Sequence, residues 1–416
     1  MATVIFDLDG TLFCSHLCIL TAVKHTLKTL GLPPVTDDLI MSLIGEKYAV
    51  FASRIAPGFH DEALLWKIYT QSERDTIKHE ARLFDGIPQM LVMLKKEGHK
   101  LAVCSNGSME YIELALHSTG TYDLFDLLVT GNEFHSKSEA VAYILRELPN
   151  DCAVVVGDRF HDFRAASDNY LPSIGAAYGY CPVHELGLCT FTAYSAADVH
   201  AFIRQITVFS RLFSDIILRP DVRVIGINGV DTSGKTIFSE NMQKYLVARG
   251  KKASVLHLDD FHNPAGIRNA GPNEIDAYIQ NAFDIKKLID ELLKPLKSGQ
   301  SINKTLECLD LNTDTFSSRR HYEIDKNTYV ILEGVLLYRE PLSGYIDYKV
   351  FLDIGFDEVL RRAEVRDVPQ YGPAFLNKYR EKYIPIQQWY LEFCLPKSKS
   401  DLVIDNRNYS DPRIVK

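Results

Sequence analysis

Short β-branched apolar runs recur along the chain, each followed by a longer segment whose apolar residues have helical spacing. The runs are Thr3–Phe6, Lys100–Cys104, Leu127–Thr130 and Ala153–Val156 in the first half. In the second they are Val222–Ile227, Ala253–Leu258, Tyr329–Leu332, Tyr348–Leu352 and Leu402–Ile404. Strands alternating with helices imply βαβ units, hence parallel sheets with helices on both faces. Ligands of such sheets bind beyond the carboxyl ends of the strands. At 416 residues the chain exceeds one ordinary core. The expected class is therefore α/β, with two parallel-sheet domains. The stretch Ser15–Arg82 lacks strand character and reads as amphipathic helices broken at Gly31-Leu32-Pro33-Pro34 and Pro57-Gly58. It is an insertion after the first strand. A helical segment then leads through Ile206–Asp221 to Arg219-Pro220, beyond which a fresh strand opens. The domains are expected over 1–208, with the insertion at about 15–82, and over 221–416.

Composition narrows the partners. With 46% apolar and 24% charged residues the chain is globular in type. A net charge of −8 argues against a large basic face gripping long nucleic acid, although a local basic groove stays open. No apolar run approaches the roughly 20 residues that span a bilayer, so no membrane partner is expected. Met1-Ala2-Thr3-Val4-Ile5-Phe6-Asp7 has no secretory character. The eight cysteines are scattered without a CxxC pair, which fits buried thiols in a reducing, cytoplasmic setting.

Polar clusters follow these runs. Asp7-Leu8-Asp9-Gly10-Thr11 follows the first, with two carboxylates at i, i+2 able to aim at one site. Val154-Val155-Val156-Gly157-Asp158 ends another, with Asp162 four residues on. Four acids at strand ends suit a hard ion such as Mg²⁺, beside which an aspartate can attack a phosphate. Ser105 adds a hydroxyl after a third strand, and Lys137 a cation near a helix start. In this order the segments resemble the four motifs of the haloacid dehalogenase superfamily, particularly its phosphoglycolate-phosphatase-like branch, over roughly 1–205. Gly175-Ala176-Ala177-Tyr178-Gly179-Tyr180 echoes the same branch. The resemblance implies a Rossmann-like fold with a helical cap, Asp7 as nucleophile and Asp9 as general acid, then base. It further implies Ser105 and Lys137 on the phosphoryl oxygens, and Mg²⁺ held by Asp7, Asp158 and the backbone of Asp9, with Asp162 in support. Asp9 favours phosphatase over dehalogenase chemistry, because water must be activated against an acylphosphate.

In the second half, Gly229-Val230-Asp231-Thr232-Ser233-Gly234-Lys235-Thr236 fits GxxxxGK[ST] between an expected strand and an expected helix over Thr236–Ala248. Such a loop turns backbone N–H groups onto phosphates at a helix N-terminus. Gly229, Asp231, Ser233 and Gly234 belong to that cradle. Lys235 would reach the β- and γ-phosphates of ATP, and Thr236 would ligate Mg²⁺. Asp259-Asp260-Phe261-His262 ends one run, where a carboxylate could take a proton from an acceptor hydroxyl, and Glu333-Gly334 ends another, placed to meet the metal.

These segments resemble uridine kinase and its relatives over nearly all of 221–416. Further matching stretches are Asn263-Pro264, Phe283-Asp284, Leu332-Glu333-Gly334-Val335-Leu336-Leu337 and Arg361-Arg362-Ala363-Glu364-Val365-Arg366-Asp367. Tyr383, Tyr390, Pro396 and Val403-Ile404-Asp405-Asn406 complete the series. The resemblance implies a P-loop kinase fold and ATP-dependent phosphorylation of a hydroxyl. Asp259 would be the base, and Arg362 and Arg366 arginines of a mobile lid. His262 stands where the family has a tyrosine, and Gly266–Asn281 does not reveal residues that read uracil.

The leading expectation is a bifunctional enzyme, a Mg²⁺-dependent phosphatase of small phosphomonoesters joined to an ATP-dependent kinase of a small alcohol such as a nucleoside. Two alternatives compete. A polynucleotide 5′-kinase/3′-phosphatase pairs the same folds, but the acidic balance and the long cap count against it. A non-enzymatic nucleotide-binding regulator is opposed by intact Asp7, Asp9, Lys235 and Asp259.

Overall fold

The computed structural model describes residues 1–416. Its first strand, β1 (Thr3–Phe6), has every side chain buried, as a strand covered on both faces must. β1 lies between β2 (Lys100–Ser105) and β4 (Ala153–Gly157) in a six-stranded sheet of order β3-β2-β1-β4-β5-β6. The other strands are β3 (Leu127–Thr130), β5 (Ser173–Ala176) and β6 (Phe191–Ala193), and every pairing is parallel. β5 and β6 were not among the expected runs. They are short, and Ser173, Gly175 and Ala176 give β5 little β-branched character.

Four helices follow β1: His16–Thr29, Asp37–Leu43, Tyr48–Ile55 and Glu62–Glu80. Two of the three breaks fall at Gly31-Leu32-Pro33-Pro34 and Pro57-Gly58, the third between Leu43 and Tyr48, and the helices after the first two open on side-chain caps. Thr36 accepts from the Leu39 N–H, and Asp61 from that of Leu64. Ile19, Val23, Leu27, Ile40, Leu43 and Leu65 give the insertion an apolar cluster of its own. Where the insertion leaves and rejoins the core, the Cys14 N–H donates to the Arg82 carbonyl at 2.8 Å.

The second sheet has the order β14-β13-β12-β7-β11-β8. β7 (Val224–Gly229) is central, with β8 (Ala253–His257), β11 (Tyr329–Gly334), β12 (Tyr348–Asp353) and β13 (Leu402–Asp405) parallel to it. β14 (Arg413–Ile414) pairs antiparallel at the edge. A separate antiparallel hairpin, β9 (Ile302–Asp310) and β10 (Thr315–Ile324), precedes β11.

Contacts divide the chain into Met1–Thr207 and Val208–Lys416. The division falls inside one helix, Ala196–Ile217, whereas the sequence placed the opening of the second domain at Asp221. In the first unit Phe202 stacks on Phe191, with ring centroids 5.0 Å apart, and His200 and Arg204 bind Glu97. In the second, Phe209 packs edge-on to Phe238 at 5.0 Å, and the Tyr348 hydroxyl donates to Asp215 at 2.9 Å. No helix is long and apolar enough to cross a membrane.

Candidate active sites

Asp7 emerges at the carboxyl end of β1, its N–H fastened to the Val156 carbonyl of β4 at 2.8 Å. Gly10 turns the chain with φ +74°, and a Cβ there would stand 2.1 Å from Asp158 Oδ2, so no other residue fits. Carboxylate oxygens of Asp7, Asp158 and Asp162 lie within 4.8 Å of one another, all buried. Lys137 Nζ sits 2.5 Å from Asp7 Oδ1 and 2.6 Å from Asp162 Oδ1.

Burial pushes the Asp7 carboxyl up to about 7, against the pull of Lys137 and with Asp162 and Asp9 adding to the rise. Burial, then Asp7 and Asp162, raises Asp158 well above the usual carboxylate range. For Lys137 burial acts downward, but Asp162 and Asp7 outweigh it and hold the ammonium charged. Three carboxylates facing one ammonium leave an excess of negative charge. Asp158 Oδ1 is buried without a hydrogen-bond partner, while Oδ2 accepts from the Tyr180 N–H at 3.0 Å. An orphaned oxygen in a hard, oxygen-only donor set fits a Mg²⁺ ion.

Asp9 keeps its carboxylate out of this trio and accepts from the Tyr111 hydroxyl at 2.5 Å. Burial raises its carboxyl, with the Tyr111 hydrogen bond opposing. Ser105 is buried at the end of β2, its Oγ accepting from the Gly107 N–H at 3.0 Å. Asp162 also accepts from the Arg159 N–H at 3.1 Å, capping the helix Phe160–Asp168.

In the second unit Gly229–Thr236 links β7 to the helix Lys235–Ala248. Gly234 precedes the helix with φ +89°, a conformation that favours glycine. Lys235 is buried, donates to the Val230 carbonyl at 2.9 Å, and has its ammonium lowered by that burial. The Thr236 hydroxyl donates to Glu333 at 3.2 Å, at the end of β11. Gln387 clamps Asp231 through the backbone N–H at 2.9 Å and the carboxylate at 2.6 Å. Asn406 donates to the Ser233 carbonyl at 2.7 Å.

The two arginines part company. Arg362 is only 5% exposed; its guanidinium donates to Glu358 (2.6 Å) and to the carbonyls of Thr232 (3.0 Å) and Asn406 (2.6 Å). It also lies 3.7 Å from the centroid of the Tyr409 ring. These bonds tie Arg362, expected as a lid arginine, to the backbone of the phosphate loop at Thr232 and to the Asn406 segment. Arg366 is 60% exposed and pairs with Asp367 at 2.7 Å. Both arginines nevertheless border one cavity of about 310 Å³ with Thr232, Gly234, Lys235 and Thr236.

Asp259 lies just after β8 in the helical turn Leu258–Phe261 and is exposed. Desolvation by the surrounding protein raises its carboxyl, with His262 opposing and Glu333 adding to the rise. Asp260 is tied to the hairpin by the Tyr322 hydroxyl (3.0 Å) and Arg320 (3.2 Å). Sequence reasoning missed Tyr111, and also His257, whose Nδ1 meets Glu333 at 2.8 Å. It missed the Gln387 and Asn406 clamps as well; only Asn406 carried a signal, as part of a family-like stretch.

Residues 4–176 match the model of the haloacid dehalogenase-like hydrolases, and 224–410 that of the phosphoribulokinase / uridine kinase family. A phosphoglycolate phosphatase of Agrobacterium fabrum is 29% identical over 191 residues, 43% of this chain and 82% of that relative. A 5′-nucleotidase of Pseudomonas aeruginosa is 32% identical over 213 residues, 49% of this chain and 94% of the relative. A solved structure described as a possible uridine kinase from Bacillus stearothermophilus is 26% identical, with a TM-score of 0.38; the match covers 48% of this chain and 97% of that one. The chain belongs to the haloacid dehalogenase-like hydrolases through its first half and is similar to the phosphoribulokinase / uridine kinase family through its second, an enzyme with a phosphatase domain and a kinase domain.

Proposed function

We propose that the chain hydrolyses a small phosphomonoester at Asp7 and phosphorylates a small alcohol, a nucleoside foremost, at Asp259. The phosphatase machinery would lie within 1–208, roofed by the insertion at about 15–82, and the kinase machinery within 221–416. One observation carries the reading in each half: the carboxylates of Asp7, Asp158 and Asp162 converge in the first, and Thr236 of the phosphate loop meets Glu333 at the end of β11 in the second.

In the first reaction an Asp7 oxygen attacks phosphorus, the bond to the leaving oxygen breaks, and protonated Asp9 gives that oxygen its proton. The raised carboxyl of Asp9 supports the acid role. Ionised Asp9 then takes a proton from water, which attacks the aspartyl-phosphate and frees phosphate and Asp7. Ser105 and Lys137 orient the phosphoryl oxygens. Bound by Asp7, Asp158 and the Asp9 backbone with Asp162 behind them, Mg²⁺ would offset phosphoryl charge.

In the second reaction the backbone of Gly229–Thr236 holds the ATP phosphates and Lys235 reaches toward the transferred group. Asp259 takes the proton of the attacking hydroxyl, and Arg366 steadies transferred charge from the open side of the cavity. Thr236 and Glu333 are the groups available to a second Mg²⁺. The relative named 5′-nucleotidase and the uridine kinase family both favour nucleoside-like substrates.

Single substitutions test the assignment. Asp7→Asn should abolish Mg²⁺-dependent phosphatase activity while kinase turnover stays near wild type. Asp259→Asn should cut kinase turnover by a factor on the order of 10² while ATP still binds. Equal loss of both activities in either variant would sink the two-site model.

A further inference from the structure

Beside Asp9 opens a cavity of about 110 Å³, walled by the inserted helices on one side and by Tyr111 on the other. Tyr48, Phe51, Trp66 and Tyr69 form its aromatic wall. Their rings brace one another: Tyr48 and Trp66 have centroids 3.8 Å apart, Trp66 and Tyr69 5.6 Å, and Phe51 and Tyr69 5.4 Å. A wall held this way needs no ordering when a ligand arrives.

Apart from tyrosine hydroxyls, the ionisable groups lining the cavity are Asp9, Glu46 and Glu73, all carboxylic acids. The neighbouring cations are already engaged. Lys137 is held by Asp7 and Asp162. Arg159 donates to the Ile44 carbonyl at 2.7 Å and lies 3.6 Å from Glu185 and 3.9 Å from Glu46. A leaving group carrying a carboxylate or second phosphate would lose water and meet no cation in the lining, only acids and the neutral donors of Asn106, Ser108 and Asn132. An aromatic ring would instead meet ring faces and edges, which favour it beyond simple burial. For scale, an apolar cavity of about 150 Å³ admits benzene, so this one suits a single ring better than a fused pair.

We propose that the phosphatase acts on phosphomonoesters whose leaving alcohol carries one aromatic ring and no negative charge. The proposal rests on the phosphatase reading above and adds the class of substrate. Trp66 and Tyr48 are its specificity-determining residues.

The test is kcat/KM of the full chain with Mg²⁺ on benzyl phosphate, 4-carboxybenzyl phosphate, 2-phosphoglycolate and acetyl phosphate. Benzyl phosphate should exceed both carboxylated substrates by about tenfold or more. Trp66→Ala should reduce the ratio of benzyl phosphate to acetyl phosphate by about tenfold, chiefly through KM, and Trp66→Phe by much less. Should Trp66→Ala fail to fold, Tyr48→Leu serves for the same ratio. Carboxylated substrates that match benzyl phosphate, or a ratio unmoved by substitution of the wall, overturn the proposal. Hydrolysis of acetyl phosphate without any preference for the ring overturns this inference alone, whereas no hydrolysis of any of the four overturns the phosphatase reading with it.

Discussion

Glu73 is 8% exposed on the helix Glu62–Glu80, with the Tyr69 hydroxyl 2.6 Å from its carboxyl. Burial raises that carboxyl from 4.5 to about 8, Asp9 adding to the rise and Tyr69 opposing it. The folded chain thus keeps a proton that the unfolded chain releases above its ordinary value. Glu73 therefore destabilises the fold increasingly as pH climbs from about 4.5 toward about 8. Glu73→Gln, which cannot ionise, should melt near the parent at the acidic end and increasingly above it toward pH 8. Thermal melts across that window read the effect; a constant difference would assign the retained proton to another group. The strand-end acids were legible because Asp7, Asp158 and Asp162 each follow an apolar run closely. Tyr111 with Asp9 and His257 with Glu333 were not, since those partners are 102 and 76 residues apart and local periodicity carries no such pairing.

The helix Phe356–Arg366 carries its two arginines on different duties. Removing Arg362 leaves the Asn406 carbonyl without this donor and the Thr232 carbonyl with only the Tyr409 hydroxyl at 3.5 Å. Arg362→Met should cost about 3 kcal/mol in urea unfolding and weaken ATP binding together. Arg366→Ala removes an exposed pair and should change stability by less than about 1 kcal/mol, while lowering kinase turnover. Equal stability losses in the two variants would refute the distinction. Among elements, the buried strands and the broken helices of the insertion were readable because burial on both faces and the glycine–proline breaks both leave marks in sequence. The hairpin β9–β10 was not. Most side chains of β10 are exposed, so no apolar alternation records its pairing.

At the scale of the whole molecule, net charge −8 and the four helices inserted after β1 count against a polymeric substrate. Binding of polynucleotides draws much of its affinity from neutralised phosphates, and does so with steep salt dependence. A small phosphomonoester should therefore exceed a 3′-phosphorylated oligonucleotide in kcat/KM by at least about tenfold, with little response to salt. A free nucleoside should likewise surpass a 5′-hydroxyl oligonucleotide at the kinase. Oligonucleotides winning on both halves, at rates falling steeply with salt, would replace this reading with end repair. The α/β class was legible throughout, but a helix gives no sign in its own sequence of which core each turn serves. Ala196–Ile217 places Phe202 in the first unit and Phe209 in the second. A cut at either end of this helix strips apolar turns from one product, and a cut between Thr207 and Val208 leaves each product a helix ending in mid-course. Dissection thus calls for overlapping fragments, about 1–217 and 196–416, in which the same twenty-odd residues are made twice.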